Sequence, residues 1–183
     1  CFAMTETGHG SDVRGLETVA RYLPESAEFE ILTPHRAARK DYIGSAALHG
    51  HFAVVFAQLE VAEQRHGVHA FLVEIRDGEG RVLPGIEIED CGGKAGLNGV
   101  DNGRLSFSSV RIPKDNLLNR YGDVTDAGKY ETSIKGDSAR FFTMLANLLA
   151  GRLMVCAATW AGSRASLAIA VHYALRRRQF GKP

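Results

Sequence analysis

Apolar and polar positions divide the chain into two textures, with the change near residue 137. Up to about Leu118 the apolar residues come in short runs. Thr18-Val19-Ala20-Arg21-Tyr22 and Glu28-Phe29-Glu30-Ile31-Leu32 alternate on either side of a turn-forming Pro24-Glu25-Ser26, the signature of strands with one buried face. Ala53-Val54-Val55-Phe56-Ala57-Gln58-Leu59 is almost continuously apolar and of strand length, which predicts a strand covered on both faces. His69 to Ile75 comes next, closed by Asp77-Gly78-Glu79-Gly80. Ile86-Glu87-Ile88-Glu89 alternates again, and Arg104 to Phe107 leads into Val110 to Pro113. Short strands punctuated by Gly, Pro and Asp predict an antiparallel β-barrel or sandwich over 1–120.

Residues 121–136 are polar and glycine-bearing, which predicts a linker, and Asp137-Ser138 offers an N-cap for a helix beginning there. From Ala139 to about Arg178 there is no proline, and alanine and leucine dominate, so one long helix is expected. Phe141, Leu145, Leu148, Leu149, Cys156 and Trp160 trace an apolar face, while Leu153, Ala157, Leu167 and Val171 fall around it. A helix apolar on most of its circumference is normally buried among others. Trp160 is therefore expected in a core, and Arg164 beside water or a carboxylate. The expected fold class is α+β: a β-rich domain over 1–120, a linker over 121–136, and over 137–183 the first helix of an incomplete helical bundle. Its partner helices are expected in sequence outside this chain or in another subunit.

The 183 residues, with 45% apolar content, suffice for one core and the start of a second. A net charge of +1 and no long basic stripe before residue 176 argue against a nucleic-acid footprint. Cys1, Cys91 and Cys156 are widely separated, with no C-x-x-C pair, which suits a reducing compartment and neither a disulfide framework nor a zinc site. No signal peptide is visible, nor an uninterrupted apolar run of about 18 residues, so a soluble intracellular protein without a membrane partner is expected. The chain opens at Cys1 inside one motif and stops at Pro183 directly after another, which suggests a fragment of a longer polypeptide.

Two stretches carry candidate chemistry. Met4-Thr5-Glu6-Thr7-Gly8-His9-Gly10-Ser11-Asp12 is a loop of small polar residues in which Gly8 and Gly10 permit close backbone approach, and Thr5 and Ser11 supply hydroxyls. Taken alone it serves a turn as readily as a flat ligand. Arg176-Arg177-Arg178-Gln179-Phe180 reads equally well as cations complementing a helix C-terminus, at roughly 0.3–1 kcal/mol each, or as a phosphate clamp of guanidinium forks. His49-Gly50-His51 places two imidazoles on one strand face but brings no carboxylate or cysteine at ligand spacing, so no metal site is expected.

Thr5-Glu6-x-Gly8-x-Gly10-Ser11-Asp12, followed by a β-rich segment and ended by Arg177-x-Gln179-Phe180-Gly181, resembles the acyl-CoA dehydrogenase and acyl-CoA oxidase flavoproteins. Gly8-His9-Gly10 with Arg14-Gly15-Leu16-Glu17-Thr18, Val54 to Leu59, and Gly99-Val100-Asp101-Asn102-Gly103 favour the oxidase branch, and the match runs in register from Phe2 to Gly181. The resemblance implies FAD as cofactor and the α,β-oxidation of fatty acyl-CoA thioesters to trans-2-enoyl-CoA. Phe2 through Met4 would face the flavin pyrimidine edge, Thr5 would place its hydroxyl near N5, and Gly10 would belong to the same cofactor loop. Ser11 would lie where the loop meets the acyl-CoA and the cofactor phosphates. Gly44 aligns with an oxidase glycine that leaves room for oxygen, although Tyr42 and Ile43 depart from that branch's Trp and Pro. Arg177, with Gln179 and Phe180, would reach the FAD pyrophosphate of a neighbouring subunit, and Arg152 the CoA moiety. A homodimer or higher homo-oligomer is implied, with O2 or an electron-transfer flavoprotein as acceptor, in a bacterial cytoplasm or a peroxisome. The family's catalytic glutamate lies beyond the Arg-x-Gln-Phe-Gly segment. No catalytic residue is therefore expected here, Glu6 is read as fixing the loop, and this piece alone should not turn over. Two alternatives stand beside this reading: a non-catalytic module that keeps the β scaffold, and another flavoenzyme such as a flavin-dependent monooxygenase or nitroalkane oxidase.

Overall fold

The computed structural model describes residues 1–181; the last two positions of the expected helical domain lie outside the described residues. The long apolar run does become the central strand. It extends to ten residues as β5, once the strands before it are named: β1 (Phe2–Ala3), β2 (Val19–Leu23), β3 (Glu28–Leu32), β4 (Lys40–Gly44) and β5 (Phe52–Val61). Then come β6 (Gln64–Glu74), β7 (Ile86–Asp90), β8 (Asn102–Phe107) and β9 (Val110–Pro113), followed by β10 (Asp123–Val124) and β11 (Tyr130–Glu131). β6 runs antiparallel along one edge of β5. The other edge is shared, with β1 parallel at Val54–Val55 and β2 parallel at Gln58–Glu60. β3 and β9 complete this sheet by antiparallel pairing, and β4, β8 and β7 make a second, antiparallel sheet. The expected antiparallel architecture thus contains parallel joints where a short N-terminal strand and β2 dock on β5.

Alternation does what period 2 demands: β3 and β8 bury every second residue. Both sheets feed one core. Phe29, Ile31, Val55, Phe71 and Val73 from the larger sheet pack with Ile43, Leu105 and Phe107 from the smaller. Phe29 sits between Tyr22 and Phe71, with ring centroids 5.3 and 5.1 Å away, and burying such rings contributes roughly 1.5–3 kcal/mol each.

The stretch expected as a linker, 121–136, carries the β10–β11 hairpin. Val124 is fully buried, and Tyr130 Oη lies 3.0 Å from His69 Nε2, so the stretch is held on the β unit by an apolar and a polar anchor. The expected single helix is broken. α1 (Asp137–Leu145) passes through a 3-10 turn at Ala146–Leu148 into α2 (Leu149–Arg176). The chain divides into two compact units, Cys1–Phe141 and a second from Phe142 onward. In the second, no residue of α2 is buried by the described residues. Trp160, expected in a core, is 63% exposed, and the Arg164 guanidinium lies 5.2 Å from its ring centroid. By length and mean hydropathy (1.3) α2 would also pass for a membrane span, a property shared by core helices of soluble bundles.

Candidate functional site

The opening loop is organised by a buried ion pair that the sequence only half discloses. Glu6 and Lys40 are both sealed from solvent, with Lys40 Nζ 3.0 Å from Glu6 Oε1. The lysine also donates to the carbonyls of Met4 (3.1 Å) and Phe56 (2.6 Å). Glu6 accepts further from Thr18 Oγ1 (2.6 Å) and from the amides of Thr18 (2.9 Å) and Glu17 (2.7 Å). Both charges are thereby fully hydrogen-bonded, the condition under which a buried pair is tolerated. Burial alone would raise the Glu6 carboxyl, but Lys40 and the Thr18 and Glu17 donors outweigh it and hold it below the usual carboxylate range. Burial brings Lys40 down to about 8 against the pull of Glu6, so it is protonated at neutral pH. Glu6 is therefore the loop-fixing residue expected of it. His9 and Glu17 lie close enough to Glu6 to suggest a metal cluster. A cation there would have to displace the ammonium and the three other donors that already occupy the Glu6 oxygens.

From this anchor the loop is laid against the residues before and within β4. The Thr7 and Gly8 amides donate to the Arg39 and Ala37 carbonyls (2.9 and 2.8 Å), and Thr5 Oγ1 donates to the Asp41 carbonyl (2.8 Å). The Asp41 carboxylate then joins the loop to β8, accepting from Thr7 Oγ1 (3.1 Å) and from Arg104 Nε (3.0 Å). No sequence pattern gives Lys40 or Asp41 a role, and 40–44 lacks the alternation of a half-buried strand.

The expected site residues fall into groups. Phe2, Met4 and Thr5 are contiguous on and just after β1. Phe2 is half exposed, tilted on Phe56 with centroids 4.8 Å apart; Met4 is buried and Thr5 half-buried. Gly44 ends β4 beyond a bulge in the pairing with β8, between two residues held at positive φ, Tyr42 (56°) and Ser45 (63°). Strain of this kind persists only where the surroundings enforce it. A Cβ at Gly44 or at Gly10 would meet nothing within 4 Å, so both backbones border open space. Gly10 and Ser11 are exposed on the far limb of the loop. Beside them Asp12, Arg14, Gly15 and Gln58 line a cleft of about 400 Å³. Gln58, from the apolar run, fixes its wall by donating to the Arg14 and Leu16 carbonyls (3.0 and 2.9 Å). Arg152, Arg177, Gln179 and Phe180 lie in the second unit. Arg152 is exposed in the first turn of α2, the Arg177 amide closes the helix on the Tyr173 carbonyl (2.9 Å), and Phe180 is exposed. Arg178 donates to the Leu175 carbonyl (3.3 Å), a helix-end use of one cation.

The turn after Gly44 is clamped from two sides. The Asp101 carboxylate accepts from the amides of Ala47, Leu48 and His49 at 3.0 to 3.2 Å. The buried Arg76 guanidinium donates to the carbonyls of Ala46, Ala47 and Gly50 at 2.7 to 2.9 Å. Burial would raise the Asp101 carboxyl, yet the Leu48 and His49 donors hold it below its ordinary value. His49 Nδ1 shares Asp101 at 3.1 Å, so the His49-Gly50-His51 pattern belongs to this turn. Arg76 carries no motif, whereas Asp101 stood in a stretch marked only by resemblance.

An extended segment that ends in a hydroxyl, as Phe2 to Thr5 does, offers main-chain and side-chain groups of the kind that hold the edge of a flat heterocycle. Residues 1–110 match the family described as "Acyl-CoA dehydrogenase, middle domain". The peroxisomal acyl-coenzyme A oxidase 3 of Arabidopsis thaliana is 49% identical over 180 residues, covering 98% of this chain and 27% of the relative. The crystal structure of acyl-CoA oxidase 3 from Yarrowia lipolytica superposes with a TM-score of 0.86 at 39% identity, covering 100% of this chain and 26% of that one. Acyl-CoA oxidase-2 of Caenorhabditis elegans, bound with FAD, ascaroside-CoA and ATP, aligns with a TM-score of 0.70 at 38% identity over 72% of this chain and 20% of its own. The chain thus spans about a quarter of the length of the relatives it matches. With the family's middle domain over its first 110 residues and acyl-CoA oxidases aligned along its whole length, this chain belongs to the acyl-CoA dehydrogenase and oxidase family.

Proposed function

We propose that the chain is the flavin- and acyl-CoA-facing part of an FAD-dependent acyl-CoA oxidase, which converts a fatty acyl-CoA to the trans-2-enoyl-CoA with O2 as electron acceptor. The observation that carries the reading is likeness to acyl-CoA oxidases from β1 to the end of α2, together with the open space that the backbones of Gly10 and Gly44 border. On this reading 1–120 is the cofactor- and substrate-binding middle domain and 137–183 begins the helical domain. Bound FAD would supply the acceptor for the hydride lost from the acyl β-carbon. The chain's own residues bind and orient. The main chain of Phe2 through Met4 would align the pyrimidine edge. The Thr5 hydroxyl, held by its bond to the Asp41 carbonyl, would lie near N5. Gly10 and Gly44 would leave room for the cofactor and for oxygen. Ser11 and Arg152 would meet the acyl-CoA, while Arg177, Gln179 and Phe180 would reach the FAD of a neighbouring subunit in a homodimer.

Glu6 is saturated by four donors and is not available as a base. The carboxylate that takes the α-proton is accordingly assigned to sequence outside these residues, and the 183-residue piece should show no turnover. Relatives named as peroxisomal support that compartment for a eukaryotic source. The test is the absorbance of the whole polypeptide carrying this segment, under air, with an acyl-CoA. Yellow protein that bleaches on mixing and releases hydrogen peroxide is the expected result. Enoyl-CoA formed only with an artificial electron acceptor would reassign it as a dehydrogenase, and colourless protein would remove the flavoenzyme reading in favour of a non-catalytic module.

A further inference from the structure

The Lys40 ammonium has three protons and, in the structure, three acceptors: a carboxylate and two main-chain carbonyls. Burial requires an acceptor for each of these protons, so the carbonyls that supply them decide what else the lysine acts on. The Met4 carbonyl is the informative one, because it belongs to the same peptide unit as the Thr5 amide. In a trans peptide the two groups point to opposite sides, so a carbonyl turned in to Lys40 turns the Thr5 N–H away from it. A cation bonded to a carbonyl draws electron density from the peptide, and the N–H at its far end becomes a stronger donor. Burial of the whole pair keeps water from screening this effect. Glu6 divides its charge among four donors, so it leaves part of the ammonium field to the carbonyls.

We propose that Lys40 is an electrostatic positioning residue: acting through the Met4–Thr5 peptide, its buried ammonium strengthens the donor edge that faces the flavin and raises the reduction potential of the bound cofactor. The inference rests on the reading of Phe2–Thr5 as the flavin edge. Its physical basis is that donors and positive charge near the flavin pyrimidine favour the electron-rich reduced form. Lys40 touches neither cofactor nor substrate in this scheme, and its influence passes through the backbone it holds.

The experiment is a dye-equilibrated midpoint potential at pH 7, measured together with FAD content, on the whole flavin-loaded protein. In one variant Lys40→Met and Glu6→Gln are combined, which removes both charges and leaves no unpaired ion. In a second, Thr18→Val takes one donor from Glu6, so the carboxylate draws more strongly on the lysine. The expected result is retained FAD with a potential shifted to more negative values in both, further in the double variant. FAD retained at the wild-type potential in either variant overturns the proposal. If the double variant does not fold or load, Thr18→Val decides alone. Loss of FAD from both variants would show that Lys40 is structural and would also overturn it. A colourless wild-type protein would instead remove the flavin reading, and this inference with it.

Discussion

Gly103 shows how a single position can be dictated by its neighbour's backbone. A Cβ there would lie 2.5 Å from the Ala47 amide nitrogen and 2.9 Å from the Ala46 carbonyl carbon, both main-chain atoms of the clamped turn. Neither can swing aside as a side-chain tip would. Gly103→Ala should therefore destabilise the β unit by about 1–3 kcal/mol, the range for overpacking a tight contact, read as a lowered urea midpoint with an unchanged slope. Asp101 faces the same turn with opposite chemistry. Asp101→Ala would strip three amides of their acceptor, and a cost of about 1–3 kcal/mol is expected because water reaches the exposed tip at Leu48. The sign with pH is set by the lowered carboxyl. The folded state binds fewer protons than the unfolded one in the acid range, so the Asp101 contribution is present above the ordinary carboxylate value and fades as pH falls through the lowered one. Wild type and Asp101→Ala should accordingly converge in stability in strong acid; a constant gap at every pH would refute the clamp. Asp101, Asn102 and Gly103 were visible in the sequence as a motif, but the reason for an acid followed two places later by a glycine needed the turn that they enclose.

Among the elements, β6 and the β10–β11 hairpin meet at a histidine whose state governs their docking. His69 is buried, with Nδ1 3.1 Å from the Gly67 carbonyl and Nε2 3.0 Å from Tyr130 Oη. Burial takes its imidazole down to about 4 despite the Gly67 carbonyl, which favours protonation. Between an ordinary histidine value and about 4 the unfolded chain binds the proton that the folded chain refuses. Stability should then be fully present above about pH 6.5 and fall by on the order of 3 kcal/mol as pH drops to 4. His69→Gln, which removes the titrating group, should flatten that limb of the denaturation profile; an unchanged limb would show that other groups cause it. The same junction explains what could be read from the chain and what could not. β3 and β5 were legible because alternation and an unbroken apolar run are local properties. β4, with Lys40 and Asp41 among its residues, looks polar, and it is a strand because its polar groups are consumed by the opening loop, by the Phe56 carbonyl of β5 and by Arg104. The hairpin at 123–131 looked like a linker because two-residue strands have no periodicity, and its anchors, Val124 and Tyr130, find their partners far away in sequence. The helix that breaks at Ala146–Leu148 was legible in its existence and not in its continuity, since neither proline nor glycine marks the turn.

At the scale of the molecule, the two units differ in what they do with apolar surface. The first closes a core around Phe29, Phe71 and Phe107, each with 1% or less of its surface exposed. The second leaves Leu153, Met154, Val155 and Leu167 each at least 65% exposed, and at 100° per residue these four are spread around the whole circumference of α2. A self-contained core predicts that residues 1–141 fold without the rest, in one cooperative urea transition with a midpoint close to that of the 183-residue chain. An exposed helix apolar on all sides predicts the opposite behaviour for the remainder, since contiguous apolar surface of that extent seeks a partner. At equal concentration the 183-residue chain should elute from a sizing column as an associated species, while 1–141 elutes as a monomer. Removing the helix, not weakening the β core, should abolish association, which separates this cause from edge-to-edge pairing of strands. If 1–141 associates equally, the surface responsible lies on the β unit, and the account of α2 as the unsatisfied element fails. If both are monomeric, α2 finds cover within its own chain, and its expected role as one helix of a bundle completed by other sequence loses its physical basis.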